Sequence, residues 1–299
     1  MGDAPALLCV GNITIDEAVR PDGHRVTAFG GDALFAALAA RTVPDGGDVA
    51  WLAPVGTDVP PELAADLRRA GLTLDGQPRR DLPTVRNVIT YAPGGGRSWR
   101  MSCTDDEFEA MSVHPADVPS ALLAARAVLV AAMGLRAQCA LVAWLRRNSG
   151  ATLHVDLQED YVRGHEDALL AMVADCDVFL PSEAEVRMLA GGTDLVAAMH
   201  AFRALGPRCV VVKRAEQGCL VLADSGVVEV PAERVDPVDS TGAGDAFCGA
   251  FAARYGIDGD AVAAARAGAA AARIAVSGPG WTAFVPGAFP AAVPAGLPR

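Results

Sequence analysis

Lysine is almost missing from this chain: Lys213 is the only one in 299 residues. Lys+Arg total 25 against 36 acidic residues, a formal net charge of −11, and no basic block interrupts the sequence. Nucleic acid and anionic membrane surfaces are therefore excluded as expected partners. A lone lysine at 213 cannot complete G-x-x-x-x-G-K-[ST], so there is no P-loop. The sixth position counted from Gly242 is Phe247, so there is no G-x-G-x-x-G either. The cysteines (Cys9, Cys103, Cys139, Cys176, Cys209, Cys219 and Cys248) are odd in number, widely spaced and without a CxxC. That excludes a zinc or disulfide framework, and most of them read as small core residues of a reducing cytoplasm. No apolar run approaches the roughly 20 residues of a membrane span. The opening "MGDAPALLCVGNITID" lacks a basic start and reads as a first strand rather than a signal peptide, so a cytoplasmic location is expected.

What is present is apolar surface: 52% hydrophobic and 20% charged residues, enough for a large core. The length suits one large α/β domain or two small ones. A first strand is expected over Leu7–Val19, within which the period of two puts Asn12, Thr14 and Asp16 on one face and Ile13 and Ile15 on the other. "GGDALFAALAAR" reads as a paired-glycine turn opening a helix, "VAWLAPVG" as a strand, and "PPELAADLRRAGL" as a helix with Pro at its start. "TVRNVITYAPGGGRSWRM" reads as two β runs around a glycine turn. "AVLVAAM", "TLHVDL" and "CDVFLPS" read as short buried strands separated by helix-length stretches, the pattern of a parallel sheet with helical crossovers. "RCVVVKRAEQGCLVLADSGVVEV" predicts an antiparallel edge, followed by helices over Ala246–Tyr255 and 259–276. Together these predict one main domain, 1–299, with a small β insertion.

The stretch "VDSTGAGDAFCGAF", Val238 to Phe251, carries the chemistry. Gly242 and Gly244 allow positive φ and close approach to a ligand. The helix opening near Ala243 leaves its first amides unpaired, and with the helix dipole they form an anion site. Ala246, Phe247, Ala250 and Phe251 make an apolar stripe to fasten that helix. Asp245 then stands beside the anion site. A first-turn acid alone favours a helix N-terminus. A carboxylate beside a docked anion also suits a general base that takes the proton of a hydroxyl attacking a phosphoryl group.

"DSTGAGDAFCGAF" resembles the C-terminal signature of the ribokinase-like (PfkB) carbohydrate kinase family, and "FGGDALFAALAAR" its N-terminal signature, in the same order and separation. The resemblance implies a three-layer α/β/α fold with a mostly parallel central sheet and a small β lid over the sugar, with lid segments about 14–28 and 84–103. It implies Asp245 as catalytic base, with Gly242, Ala243 and Gly244 holding the transferring phosphoryl charge. Asp239 would stand near a monovalent-cation (K⁺) site. "PSEAE" resembles the family's N-x-x-E element, with Ser182 in place of Asn and Glu185 as the acid that places Mg²⁺. "VVVKRAEQGCLV" resembles the nucleotide-side strand–turn–strand, with Lys213 and Gly218 fitting and Ala215 replacing a glycine.

On the acceptor side, Asn12 and Asp16 match positions that bind sugar hydroxyls. Gly30 and Gly31 would bring backbone close to the substrate, and Asp32 would add a hydroxyl acceptor. Phe35 stands where ribokinase-type members have Asn, and the GGxAxF/Y pattern resembles subgroups that include inositol kinases; with no strong hydrogen-bonding group, the side chain is expected to offer an apolar wall to a ring. Arg86, Arg97 and Arg100 fall in the lid. The implied activity is ATP- and Mg²⁺-dependent phosphorylation of a sugar, a polyol or inositol, or a nucleoside, with a homodimer through the lid as the implied assembly. Two other readings stand beside it. One is a catalytically silent sugar- or nucleotide-binding regulator, which would have no need of a base at Asp245. The other is an NAD-linked oxidoreductase, against which the missing fingerprint argues.

Overall fold

A computed structural model describes residues 4–19, 21–91, 97–192 and 194–285. The glycine turn expected in the 92–96 stretch and the side chain of Arg97 lie outside what is described.

The chain starts with β1 (Leu7–Val10), β2 (Thr14–Val19), β3 (Arg25–Gly30), α1 (Asp32–Ala40), β4 (Val49–Leu52), α2 (Pro61–Arg69), β5 (Arg86–Tyr91), β6 (Arg97–Met101) and α3 (Asp105–Ala110). It continues through β7 (Ala127–Val130), α4 (Leu135–Asn148), β8 (Thr152–Val155), α5 (Glu166–Ala174), β9 (Val178–Phe179), α6 (Glu183–Leu189) and α7 (Leu195–Leu205). The described part closes with β10 (Cys209–Lys213), β11 (Cys219–Ala223), β12 (Gly226–Val230), α8 (Ala243–Asp258) and α9 (Ala261–Val276).

Among the described residues the central sheet has eight strands in the order β12-β11-β10-β9-β8-β7-β1-β4. Pairing is parallel from β4 to β10, and β11 and β12 add an antiparallel edge. Strands such as LLCV and AVLV are apolar at every position because both faces are covered. Alternate residues divide between two layers. Leu7 and Cys9 join a core cluster with α1, α8 and α9. Leu8 and Val10 join another with α4, α5 and α7. Helix α8 lies tightly on α1: a Cβ at Gly249 would come within 2.0 Å of the Ala36 carbonyl oxygen.

A second sheet, β3-β2-β5-β6, stands apart from the first. The expected single strand over Leu7–Val19 is therefore two strands in two sheets. The chain leaves the central sheet at Gly11, whose amide still bonds to Leu52, and the Asn12 carbonyl turns to accept from the Ala33 amide. Leu7 to Val10 are apolar at every position and the polar–apolar alternation begins only at Asn12, so the change of pattern falls at this corner. The helices expected over Ala246–Tyr255 and 259–276 run Ala243–Asp258 and Ala261–Val276, divided by Gly259 in the left-handed conformation (φ 76°).

Candidate active site

Gly242, the N-cap of α8, has φ 74°, which commits it to glycine, and it turns the chain so that α8 begins at Ala243. Asp245 lies in the first turn, half-buried. Burial, and then the charge of Asp156, raise its carboxyl to about 6; Lys213, a hydrogen bond with Asp32 and its own amide act against that rise.

Asp32 opens α1, and its carboxyl lies close to that of Asp245, so that each acts on the other's titration. Burial and the charges of Asp245 and Asp156 push Asp32 well above the usual carboxylate range, so it is the member of the pair that holds a proton. Asn12, 3% exposed, donates Nδ2 to the Ala132 carbonyl at 3.1 Å and to Asp32 at 3.4 Å. Beside this row, Asp16 Oδ1 accepts from Thr14 Oγ1 at 2.8 Å and from Asn87 Nδ2 at 2.9 Å. Burial raises the Asp16 carboxyl, those two hydrogen bonds lower it, and the charge of Asp239 adds to the rise. Gly30 lies against the Asp16 carboxylate: a Cβ there would fall 1.9 Å from Asp16 Oδ2, and that side chain would have to move. Gly31 packs on the Asn12 backbone. The structure thus brings Asn12, Asp16, Gly30, Gly31, Asp32 and Asp245 together.

Phe35 is not part of that wall. It is 2% exposed, and its ring lies under Gly242, where a Cβ would be 2.3 Å from Phe35 Cγ. The expected apolar surface is turned inward and supports the turn.

On the other side of Asp245 opens a cavity of about 1290 Å³, bordered by Glu185, Lys213, Gly218, Gly244 and α9. Lys213 is committed there: Nζ donates to both oxygens of Asp156, at 2.7 and 2.6 Å, and to Cys248 Sγ at 3.3 Å. Burial alone would lower its ammonium; Asp156 more than reverses this and holds it charged. A Cβ at Gly244 would be 3.7 Å from that ammonium. Asp156, at the carboxyl end of β8, was not singled out from sequence. Its signal was an acid closing a buried parallel strand, the usual ligand side of such sheets. Asn87 was missed as well.

Ser182 and Glu185 form a capping box on α6. Ser182 Oγ accepts from the Glu185 amide at 3.3 Å, and Glu185 Oε2 accepts from the Ser182 amide at 2.7 Å. Glu185 is 6% exposed; burial and the nearby Asp156 charge raise it to about 7, opposed by Lys213 and the Ser182 bonds. Asp156 and Glu185 share the one Lys213 ammonium, and the acids lining this cavity outnumber its lysine and arginines, so a cation would relieve the negative charge there. Among the described residues no group of three or more His, Cys, Asp or Glu could cage a metal. The donor set therefore suits a hard divalent ion that keeps its waters and takes phosphate oxygens. Gly218 and Ala215 shape the neighbouring turn; Ala215, where the resemblance has glycine, has φ 48°. Asp239 Oδ1 accepts from the Thr241 amide at 2.9 Å, inside the loop that leads to α8.

A mostly parallel α/β sheet with a separate small β-sheet, and a glycine turn holding an acid between a cavity and a row of buried polar side chains, is the framework of the ribokinase-like kinases. The solved structures agree on the fold. An ATP-bound fructokinase from Xylella fastidiosa superposes with TM-score 0.78 at 22% identity, covering 93% of this chain and 94% of its own. A ribokinase from Giardia lamblia gives 0.78 at 22%, covering 95% and 97%. By sequence, the chain is 30% identical over 258 residues to a protein named cytidine kinase from Thermococcus kodakarensis, which spans 83% of this chain and 88% of the relative. Residues 6–287 match the pfkB family carbohydrate kinase profile, and the chain belongs to that family. It is a phosphotransferase whose acceptor is a hydroxyl group. Among the described residues no helix is long and apolar enough to cross a membrane.

Proposed function

We propose that this protein transfers the γ-phosphoryl group of ATP to a hydroxyl of a small polyhydroxy acceptor: a sugar, a polyol or inositol, or a nucleoside. The observation that carries the reading is the position of Asp245. Its carboxyl, raised to about 6, stands between the large cavity and the Asn12–Asp16–Asp32 row. In the step, the acceptor oxygen forms a bond to the γ-phosphorus and the bond to the β–γ bridging oxygen breaks. The hydroxyl proton goes to Asp245, and ADP leaves. The amides of Ala243 and Gly244, at the positive end of α8, face the charge on the transferring group. Lys213 adds a fixed positive charge beneath Gly244. Mg²⁺, when bound, neutralises phosphate charge, and Glu185 would hold it through its waters. Asp239 and its loop would be the place for K⁺, and the lid sheet the place for a dimer contact. The relative named cytidine kinase, matched over 83% of this chain, supports including nucleosides among the acceptor candidates.

The test is ADP release from ATP and Mg²⁺ over a panel of nucleosides, pentoses, hexoses and inositols. Acceptor-dependent release that disappears in Asp245→Asn supports the reading. Tight acceptor binding with no release above background would instead make this a silent binder.

A further inference from the structure

Two amide oxygens next to the acceptor carboxylates have no donor. Asn87 on β5 stands opposite Asp16 on β2, on the same face of the lid sheet. A carboxylate only accepts, so the atom of Asn87 that faces Asp16 is the amide nitrogen, at 2.9 Å. That fixes Asn87 Oδ1 on the other side, where it is buried without a partner. Asn12 repeats the arrangement. Its nitrogen faces the Ala132 carbonyl and Asp32, both acceptors, and its Oδ1 is buried without a partner. Asp16 Oδ1 already takes two hydrogen bonds, which leaves Oδ2 for a ligand.

We propose that Asn87 is an acceptor-binding residue of the lid. We further propose that the pocket it completes selects a neutral, hydroxyl-rich acceptor and rejects acceptors bearing phosphate or carboxylate. The inference rests on the kinase reading above and narrows it. The groups left open (Asn12 Oδ1, Asn87 Oδ1, Asp16 Oδ2) are all acceptors, backed by the acidic Asp32–Asp245 pair. Hydroxyls supply donors to each. A phosphate or carboxylate brings more acceptors and more negative charge, and buried acceptors without donors are costly.

Among the described residues, the lid's arginine side chains do not offset this. Arg86 pairs with Ile15, Arg100 with Val88 and Arg25 with Val19, all on the sheet face opposite to Asp16 and Asn87. Arg86 is also ion-paired to Asp58 at 2.7 Å, and Arg25 to Glu17. Arg97 pairs with Tyr91 at the far end of the hairpin, roughly 13 Å along β5 from Asn87.

The test compares matched probes on the wild-type enzyme loaded with a non-hydrolysable ATP analogue: cytidine against cytidine 5′-monophosphate, ribose against ribose 5-phosphate, and myo-inositol against its 1-phosphate. Calorimetry should show at least one neutral probe binding roughly 100-fold more tightly than its phosphorylated partner. Asn87→Ala, with Asn87→Ser as a second variant, should weaken that neutral probe about tenfold and leave ATP KM within twofold. Deoxy analogues (2′- and 3′-deoxycytidine, 2-deoxyribose) separate contact from positioning. One hydroxyl deletion should cost about tenfold in wild type and almost nothing further in Asn87→Ala. If every deletion stays as costly in the variant, Asn87 acts only through Asp16 and the contact is overturned. Preference for a phosphorylated probe, or binding of none of the neutral ones, overturns the selectivity. Asn87-dependent binding of a neutral probe with no ADP release from ATP would sink the kinase reading and leave this one standing.

Discussion

The ring of Phe35 occupies the place a side chain at residue 242 would need: a Cβ on Gly242 would lie 2.3 Å from Phe35 Cγ and 2.4 Å from Cδ1. Helix α1 thereby sets the height of the turn that opens α8. Removing the ring should leave a cavity under the turn. Phe35→Ala is expected to destabilise by about 3–5 kcal/mol. It should lower kcat while leaving the ranking of acceptors unchanged. Gly242→Ala meets both the ring and a positive φ, and should lose most activity; melting temperature and kcat on the two variants check this. A Phe35 variant that reorders the acceptors without touching kcat would return the residue to the pocket wall.

Asp245→Asn should lower kcat by roughly 10²–10⁴-fold, the scale of a general base. Nucleotide binding should persist, because the amides of the turn remain. Turnover within a few-fold of wild type would remove Asp245 from its proposed role.

The same carboxyl links stability to pH. Its ordinary value is 3.8 and in the folded protein it is about 6, so the folded state keeps a proton that the unfolded chain has lost. Its contribution is complete below about pH 4 and is lost as pH rises through about 6. Asp245→Asn, always neutral, should therefore be more stable than wild type at pH 8 by about 1–3 kcal/mol and indistinguishable near pH 4. Denaturant titrations of the unliganded proteins at the two pH values decide it. Wild-type kcat/KM should rise with pH through the same region, because the base must be ionised.

Lys213 and Asp156 should behave as a pair. Asp156→Ala leaves an ammonium buried without its partner and should cost about 3–5 kcal/mol. Lys213→Met combined with Asp156→Leu should recover much of that loss in stability but not in activity. Additive losses in the double-mutant cycle would mean that the two groups do not interact.

Turnover should require Mg²⁺, and Glu185→Gln should raise the Mg²⁺ concentration for half-maximal rate roughly tenfold or more, with a smaller effect on acceptor KM. A Mg²⁺ titration unchanged by the substitution would exclude Glu185 from the metal's surroundings. Because Glu185 also caps α6, its melting temperature has to be read alongside.

The parts of this site that could be read in the sequence are those where backbone chemistry dictates the residue. Gly242 and Gly244 around Ala243, followed by Asp245, announce a turn, a helix start and an acid in one stretch. The paired Gly30 and Gly31 do the same for α1. What escaped was direction. Ala33 to Ala40 of α1 are all buried, so no polar stripe tells which way Phe35 points. Lys213 ends a buried strand and looks ready for a ligand, yet its partner Asp156 comes from β8, which only the sheet order brings near. Asn87 sits in a hairpin whose pattern says strand but not which strand will lie beside it. The serine and glutamate of "PSEAE" carry a capping-box spacing as well as a family resemblance, and local spacing cannot rank the two.

The solitary lysine has a practical consequence for anyone handling this protein. Its side chain is 14% exposed, lines the cavity, and its ammonium is clamped by a carboxylate. Amine-directed cross-linkers, biotin esters and acylating dyes will find no lysine on the outer surface. Any slow acylation of the side chain must begin inside the cleft, where a bound nucleotide would shield it. The rate at which Lys213 is acylated, followed at that residue and apart from the chain's α-amino group, would thus report how full the cleft is.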